Sequence, residues 1–163
     1  MVKKVAWLIF IRANSSRLKN KCYLDLKGLN TLQRITNSAL KNGISSKDIF
    51  LCTSNDNSCD EITTIGKNLF INVLRGPENH PLERILSINA KRELAKYDYF
   101  VRICGDSPFY PFFIVKKVIY QSQNDLNNIF SITNVRLRNF PRGMSIEIYN
   151  KSKIEDLVER NKS

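Results

Sequence analysis

Residues 5–11 read VAWLIFI, and residues 12–21, which follow directly, read RANSSRLKNK. The first run is rich in β-branched and aromatic residues, which predicts a buried strand. The second run holds long cations and two serine hydroxyls in the loop after that strand. Open α/β sheets bind their ligands at this place, and cations beside small residues suit a polyphosphate. The stretch therefore predicts a phosphate-binding loop, with a solvated basic turn as the alternative on charge alone.

Strand-like and helix-like segments alternate along the rest of the chain. Apolar residues at helical spacing predict helices over 31–41, 59–69, 82–95 and 112–122. Further strands are predicted over 48–53, 70–74, 99–104, 129–133 and 144–149, and Asn150 or Ser152 is expected to cap a final helix. This alternation favours a mostly parallel sheet with helices on both faces. Right-handed crossovers then bring residues 12–21 and Asp106 to the same edge of that sheet.

Length and charge set limits on the function. A chain of 163 residues is predicted to be a single domain over 1–163 with a real core. The net charge of +11 favours anionic partners, although a generally Lys- and Asn-rich surface would give the same excess. The basic residues are scattered rather than grouped, and a basic RNA-binding domain would need an aromatic stacking motif on adjacent strands. We therefore expect no nucleic-acid partner.

Cysteine usage and hydropathy point to the compartment. Four cysteines stand at 22, 52, 59 and 104 without C-x-x-C spacing, and His80 is the single histidine, so a zinc site is not expected. Unpaired thiols favour a reducing, cytoplasmic location. Lys3-Lys4 before an apolar run imitates a signal peptide, but the run stops at Arg12 without a cleavage site. No apolar stretch approaches the ~20 residues that span a bilayer, so no membrane partner is expected.

The order of residues in the basic loop, R-x-x-S-x-R-L-x-x-K, resembles the nucleotide-binding loop of cytidylyltransferases that activate acidic sugars. These include the CMP-sialic acid and CMP-KDO synthetases, and the match is best with the spore coat polysaccharide branch. Three later segments resemble the family in the same order: Leu74–Glu78 with Leu82–Arg84, Val101–Pro108, and Phe140–Ile148. The resemblance covers residues 5–149 and implies a three-layer, Rossmann-like nucleotidyltransferase fold with a mostly parallel sheet. Motifs of this kind form a hypothesis that structure must test.

The resemblance also implies an activity. Its members transfer CMP from CTP to an acidic or phosphorylated sugar and release pyrophosphate, with Mg²⁺ as cofactor. The partners expected here are therefore CTP and such a sugar, and a homodimer is left open. Nucleotidyl transfer asks the protein to align the reactants and to neutralise charge on the leaving pyrophosphate. Fixed cations and a divalent metal ion meet that need.

Side-chain chemistry suggests which residues bind the phosphates and the metal ion. Arg17 and Lys21 are candidates for the outer phosphates, because Arg offers a planar fork and Lys a point charge. A carboxylate at the end of a buried strand needs a cation, and the resemblance assigns Asp106 to the metal; capping of the helix after Pro108 is the alternative. Glu147 is the expected second metal ligand, or else a solvated strand residue. The predicted catalytic residues are Arg17, Lys21 and Asp106.

The resemblance extends to the substrate contacts. The residues expected to bind the nucleotide are Arg12, Ala13, Asn14, Ser15, Arg17, Lys21, Thr53, Ser54, Arg75, Gly76, Arg102 and Gly105. Those expected to bind the sugar are Arg138, Pro141, Arg142 and Gly143. Several alternatives stay open. Gly76 allows close approach of the backbone or forms a turn, and Arg102 braces either Asp106 or the phosphates. Glu83 and Arg84 either border the base or form an ion pair on a helix.

The chain also departs from the family pattern. Asn14 stands where Gly is usual, and Lys19-Asn20 replaces a common Pro-Gly pair. Ser145 occupies the first of the two acidic positions on the late strand, which leaves Glu147 alone. The sequence ends at Ser163, whereas family members continue through a further segment. A truncated chain, a gene fragment and a short natural variant all stay open, and so does a nucleotide-binding remnant without turnover.

Overall fold

A six-stranded sheet forms the centre of the computed structural model, which describes residues 3–14, 18, 20–122, 125, 127–137 and 140–160. The strands are β1 (Val5–Phe10), β2 (Ile49–Ser54), β3 (Asn72–Gly76), β4 (Tyr99–Cys104), β5 (Ser131–Thr133) and β6 (Glu147–Asn150). Their order across the sheet is β3-β2-β1-β4-β6-β5. The first four are mutually parallel, whereas β6 runs antiparallel to both β4 and β5. The expected mostly parallel sheet is confirmed.

Six helices connect and cover these strands. They are α1 (Thr31–Lys41), α2 (Asp60–Asn68), α3 (Glu83–Leu86), α4 (Ile88–Leu94), α5 (Phe112–Gln121) and α6 (Lys151–Arg160). As expected, the Asn150 side chain lies at the start of α6, where its Oδ1 accepts from the Ser152 hydroxyl at 2.9 Å and the Lys153 amide at 3.4 Å. No helix in the described ranges has the length and apolar character that a membrane crossing needs.

Both faces of the sheet are buried, which makes three layers. Along β1, Trp7 and Ile9 belong to the core shared with α1, α2 and α5. Ala6 and Leu8 belong to the opposite core, which α3, α4 and α6 cover. Side chains alternate along a strand, and a parallel strand covered on both sides is apolar throughout. This explains why residues 5–11 carry no polar side chain.

Several predicted boundaries are wrong: the strand expected over 129–133 begins only at Ser131, and three further differences have local reasons. The helix expected over 82–95 is two helices, because Ser87 has an extended backbone and its hydroxyl accepts from the Ala90 amide at 3.2 Å. β3 begins only at Asn72, since Phe70 has a φ of 54° and an 85% exposed side chain. β6 begins at Glu147 because the Asn134 side chain, rather than a strand, pairs with the backbone of Met144 and Ile146.

The junction between β1 and β4 positions the candidate site. Phe10 pairs with Cys104 at the carboxyl ends of the two strands, and the Gly105 amide donates to the Phe10 carbonyl at 2.8 Å. A Cβ on Gly105 would lie only 2.6 Å from Ile11 Cβ, so no larger residue fits without a shift. The chain after β4 therefore passes directly beside the loop that begins at Arg12, as the topology argument predicts.

Candidate functional site

Lys21 and Asp106 meet at this edge of the sheet. The Lys21 ammonium lies 2.5 Å from Asp106 Oδ2, and the two side chains are 33% and 43% exposed. Lys21 opens a 3₁₀ turn over Lys21–Tyr23 after Asn20, whose φ of 55° is left-handed. Asparagine tolerates this conformation, which lets Asn20 take the place of the Gly in the Pro-Gly pair that the sequence resemblance leads us to expect. Among the described residues, the asparagine with a left-handed backbone is thus Asn20 and not Asn14.

Asp106 does not cap the helix that follows Pro108, which was the alternative to metal binding. Helix α5 begins at Phe112, and Pro111 precedes it without a side-chain cap. The carboxylate instead lies in the turn that follows β4, at the surface of a cavity. Capping of the next helix is therefore excluded, and Asp106 faces a cation across the sheet edge.

Two cavities adjoin at the same edge. One, of about 220 Å³, is lined by Phe10, Ile11, Arg12, Lys21, Cys22, Cys104, Gly105 and Asp106. The other, of about 400 Å³, is lined by Phe10, Ile11, Arg12, Glu78, Asn79, Pro81, Arg84 and Arg102. Arg12 belongs to both, and its guanidinium lies 3.5 Å from Glu78 Oε1. The smaller cavity carries the Lys21–Asp106 pair, and the larger has the size of a small-molecule site.

Arg84 shapes the larger cavity from inside. Its side chain is buried and donates to the carbonyls of Pro77, Glu78 and Cys52 at 3.1, 2.7 and 3.4 Å. Burial lowers the pKa of this guanidinium. Gly76 passes so close that a Cβ there would lie 3.0 Å from Arg84 Cα, so this glycine serves close approach. Arg84 thus holds Glu78 opposite Arg12, a role that neither sequence alternative contained.

Arg75 is engaged within the chain. It donates to the Ser54 carbonyl at 3.0 Å, to Asp60 Oδ1 at 2.6 Å and to the Asp56 carbonyl at 2.9 Å. Thr53 and Ser54 are buried, and the Thr53 hydroxyl has no hydrogen-bond partner among the described residues. Thr53, Ser54, Arg75 and Gly76 line neither described cavity. Arg75 fastens the turn after β2, and the assignment of these four residues to the nucleotide stays a prediction.

Arg102 and Glu147 form a separate pair on the sheet face. Their side chains are in ion-pair contact, and the Tyr149 hydroxyl donates to Glu147 Oε2 at 2.7 Å. The Arg102 guanidinium lies 5.8 Å from the Phe10 ring centroid. Burial lowers the pKa of Arg102, but Cys104 and Glu147 outweigh it and leave that pKa raised. Burial, with the hydrogen bond to Glu147, raises the pKa of Tyr149 to about 12.

These contacts bear on the predicted metal ligands. Glu147 already accepts from a cation and a hydroxyl and its side chain is 14% exposed, so a metal ion would compete with both partners. No cluster of three or more His, Cys, Asp and Glu side chains able to hold a metal occurs among the described residues. Asp106 is thus the accessible carboxylate of the pair, and the role of Glu147 as a metal ligand stays a prediction.

The remaining predicted residues are placed as follows. Ala13 is buried and its carbonyl accepts from the Asn20 amide at 3.0 Å, which closes the base of the basic loop, while Asn14 is exposed. Pro141, Arg142 and Gly143 form an exposed turn in which the Pro141 carbonyl accepts from the Met144 amide at 3.2 Å. Ser15, Arg17 and Arg138 lie outside the described residues.

Sequence reasoning missed two residues that shape the site. Phe10 and Glu78 line it without having been proposed as contacts, whereas Arg84 was expected to border the base or to form a helix ion pair. Glu78 lies in a segment that resembles the family, and that position was the available signal. Phe10 gives no signal, because an aromatic residue at the end of a buried strand is indistinguishable from core.

Relatives of this chain carry cytidylyltransferase names. It is 30% identical over 111 residues to a 3-deoxy-manno-octulosonate cytidylyltransferase of Haemophilus influenzae, covering 68% of this chain and 42% of that protein. It is 28% identical over 153 residues to an uncharacterised protein of Methanocaldococcus jannaschii, covering 93% and 59%. The chain therefore spans less than two thirds of the length of these relatives.

Solved structures agree on the fold. A cytidylyltransferase from Leptospira borgpetersenii superposes with a TM-score of 0.86 at 28% identity, over 97% of this chain and 65% of that one. A CMP-2-keto-3-deoxy-manno-octonic acid synthetase complexed with CTP gives 0.69 at 16% identity, over 96% and 78%. At that identity the second likeness concerns the fold alone. The family model for cytidylyltransferases matches residues 6–162, and the chain belongs to the cytidylyltransferase family.

Proposed function

We propose that this protein transfers CMP from CTP to an acidic or phosphorylated sugar and releases pyrophosphate. The observation that carries the proposal is the Lys21–Asp106 pair beside Arg12, where the two cavities adjoin. An ammonium and a carboxylate at the carboxyl ends of parallel strands suit a metal-bound triphosphate. Membership of the cytidylyltransferase family supports the choice of CTP. The unpaired cysteines support a cytoplasmic location for the reaction.

The chain's own residues would act by position and charge. Lys21, with Arg17 from the basic loop, would hold the outer phosphates and stabilise the charge that develops on pyrophosphate. Arg12 would hold the nucleotide where the cavities adjoin. An acceptor oxygen placed in line with the α-phosphorus then needs no covalent help from the protein. Arg142, and with it Arg138, would attract the acidic group of the sugar.

The site fits Mg²⁺ in its donor chemistry. Magnesium takes one or two carboxylates and completes its coordination with phosphate oxygens and water, and Asp106 offers a partly exposed carboxylate beside the cavity. When bound, the ion would supply positive charge to the triphosphate. Asp106 would be its protein ligand, with Glu147 as the second candidate. With Asp106 holding the ion, the Lys21 ammonium would be available to bind phosphate.

One alternative has an observation in its favour. Ser145 replaces one family acid, and Glu147 is bound by Arg102 and Tyr149. With Asp106 as the single accessible carboxylate of the predicted metal ligands, the chain would bind nucleotide without turning it over. Binding and turnover must therefore be measured separately.

Thermal shift and pyrophosphate release test the proposal together. A ligand that binds only the folded state raises Tm, so CTP with Mg²⁺ should raise it more than UTP, GTP or ATP. Pyrophosphate release with a panel of keto-acid and phosphorylated sugars then distinguishes an enzyme from a binding remnant. Equal shifts with all four nucleotides would contradict the choice of CTP.

Asp106→Asn provides the site-specific prediction. Asn is nearly isosteric but carries no charge for a hard cation, so we expect the Mg²⁺ dependence of the CTP shift to disappear while the fold survives. Asp156→Asn, at an exposed position on α6, is the matched control and should retain that dependence. Unchanged metal dependence in Asp106→Asn would place the metal elsewhere.

A further inference from the structure

One cavity lies away from the proposed catalytic site. It has a volume of about 540 Å³ and opens at the amino ends of β1 and β2, whereas Lys21 and Asp106 lie at the carboxyl edge. β1 has six residues, so the two edges are separated by roughly 20 Å at about 3.3 Å per residue. We name it the lysine cavity, after the four lysines that line it: Lys3, Lys4, Lys96 and Lys116.

The charge of the lysine cavity is only partly compensated, and at its edge Asp98 Oδ2 accepts from the Lys4 backbone amide at 2.8 Å. Asp48 is the one carboxylate among its described lining residues, and its Oδ1 accepts from the Tyr97 hydroxyl at 2.8 Å. The Lys116 ammonium donates to the Asn42 carbonyl at 2.6 Å, which is a neutral acceptor. The Lys96 ammonium lies 5.0 Å from the centre of the Tyr97 ring. Like charges gathered in a cleft focus a positive potential there.

The floor of the cavity is apolar. Val5, Trp7, Ile44 and Ile119 line it, and the Tyr120 ring at its rim is 75% exposed. The volume lies within the range of small-molecule sites, which combine apolar walls with a few placed charges. An exposed aromatic ring beside ammonium groups offers a stacking surface for a flat ligand.

We infer that the lysine cavity binds a small organic anion, with a ring body against its apolar floor and a phosphate, sulfonate or carboxylate group among its lysines. This site is separate from the proposed CTP site and serves no step of the transfer reaction. Its ligand would bind at the amino ends of β1 and β2, whereas the catalytic edge lies at their carboxyl ends.

The single tryptophan makes the inference directly measurable. Trp7 is the one tryptophan of the chain and lines this cavity, so its fluorescence reports an occupant there. The probe is 8-anilinonaphthalene-1-sulfonate, titrated into the whole chain at low ionic strength and followed by quenching of Trp7 emission. N-phenyl-1-naphthylamine, which has the same rings without the sulfonate, is the uncharged control. Pyrophosphate, an anion without a ring, is added as a competitor.

Two triple variants separate local from overall charge. The first triple variant removes charge from the cavity by Lys4→Met, Lys96→Met and Lys116→Met. It should weaken binding of the sulfonate probe on the order of tenfold. Lys67→Met, Lys91→Met and Lys117→Met lower the net charge equally at exposed positions that do not line it, and should leave binding unchanged. Neither triple should alter binding of the uncharged probe. The double variant Lys4→Met with Lys96→Met, which keeps the Lys116 bond, serves if the first triple does not fold.

Each outcome decides the inference. Selective loss of the sulfonate probe in the cavity triple, with competition by pyrophosphate, supports an anion site. Equal weakening in both triples would mean that overall charge alone attracts the probe. Quenching that survives in the cavity triple, or equal binding of the uncharged probe, would likewise overturn it.

Discussion

The Lys21 ammonium and the metal ion that we propose Asp106 to hold would compete for the same carboxylate. In this structure the ammonium lies 2.5 Å from Oδ2, which is where a metal ligand must be free. Lys21 is also proposed to bind the outer phosphates. Binding of metal and nucleotide together would therefore replace the Lys21–Asp106 ion pair with two others, one between Asp106 and the metal and one between Lys21 and phosphate. In that proposal, the binding of metal and of nucleotide would depend on each other through Asp106.

Lys21→Met should therefore separate metal binding from nucleotide binding. We expect Mn²⁺, measured by electron paramagnetic resonance without nucleotide, to bind more tightly because Asp106 has lost its competitor. CTP should bind about tenfold more weakly, since a hydrogen bond to a charged group contributes about 1.5–3 kcal/mol and this one is partly exposed to solvent. Lys117→Met is the control for removal of an exposed lysine. Unchanged CTP affinity would show that Lys21 does not reach the phosphates.

Gly105→Ala tests how closely the two strand ends must approach. The new Cβ would lie 2.6 Å from Ile11 Cβ and 2.9 Å from the Phe10 carbonyl oxygen, so backbone must move. Overpacking of this kind costs about 1–3 kcal/mol of unfolding free energy, and the movement should displace Asp106 and weaken CTP binding. Urea unfolding and calorimetry measure the two effects.

Gly28→Ala is the comparison variant for that experiment. Its Cβ meets nothing within 4 Å, but its φ of +81° strains an alanine, so it should lose stability while keeping CTP affinity. If Gly105→Ala also keeps its affinity, the close approach at Gly105 is a matter of packing and not of the site.

Ser87 divides a helix that the sequence alone predicts to be continuous. Its hydroxyl caps α4 through the Ala90 amide at 3.2 Å, so Ser87→Ala should lower the free energy of unfolding by about 1 kcal/mol. Ser87→Asp preserves a capping oxygen and should restore most of the loss. A rise in both stability and helical circular dichroism in Ser87→Ala would mean instead that α3 and α4 had fused.

Elements were predictable where a single local signal decided them. α1 and β4 have their predicted bounds, because apolar residues at helical spacing define the first and a run of β-branched and aromatic residues defines the second. The helix over 82–95 was wrong because apolar spacing carries no information about a serine that caps from within. The start of β6 was wrong because the Asn134 side chain replaces strand pairing, and Asn134 is distant in the sequence.

At the scale of the whole molecule, the strand topology predicted which residues meet at the site. It did not predict the role of each residue. The meeting of Lys21 and Asp106 follows from strand order, and they are 85 residues apart in the sequence. The engagement of Arg75 with the turn after β2, and of Glu147 with Arg102 and Tyr149, depends on side-chain partners. Residue type and position along a strand do not reveal such partners.

The charge of the whole molecule permits a last test, which separates a built site from a general attraction for anions. The net charge of +11 is distributed between the catalytic edge, the lysine cavity and other surfaces, rather than along one stripe. A nucleic acid would therefore bind through scattered phosphate contacts, whose affinity falls steeply with salt because the release of counterions then gains less free energy. CTP with Mg²⁺ would instead rely on Asp106, Lys21 and Arg12 at fixed positions.

We expect CTP with Mg²⁺ to bind more tightly than a random RNA oligomer of matched charge at 150 mM salt. Between about 50 and 200 mM salt, affinity for such an oligomer, which has about four phosphates, should fall on the order of fiftyfold, while CTP affinity falls far less. Fluorescence anisotropy of labelled RNA, and calorimetry for CTP, measure the two slopes. RNA that stays the tighter ligand across this range would overturn the nucleotide site and favour a basic RNA-binding surface, because electrostatic attraction alone does not survive such screening.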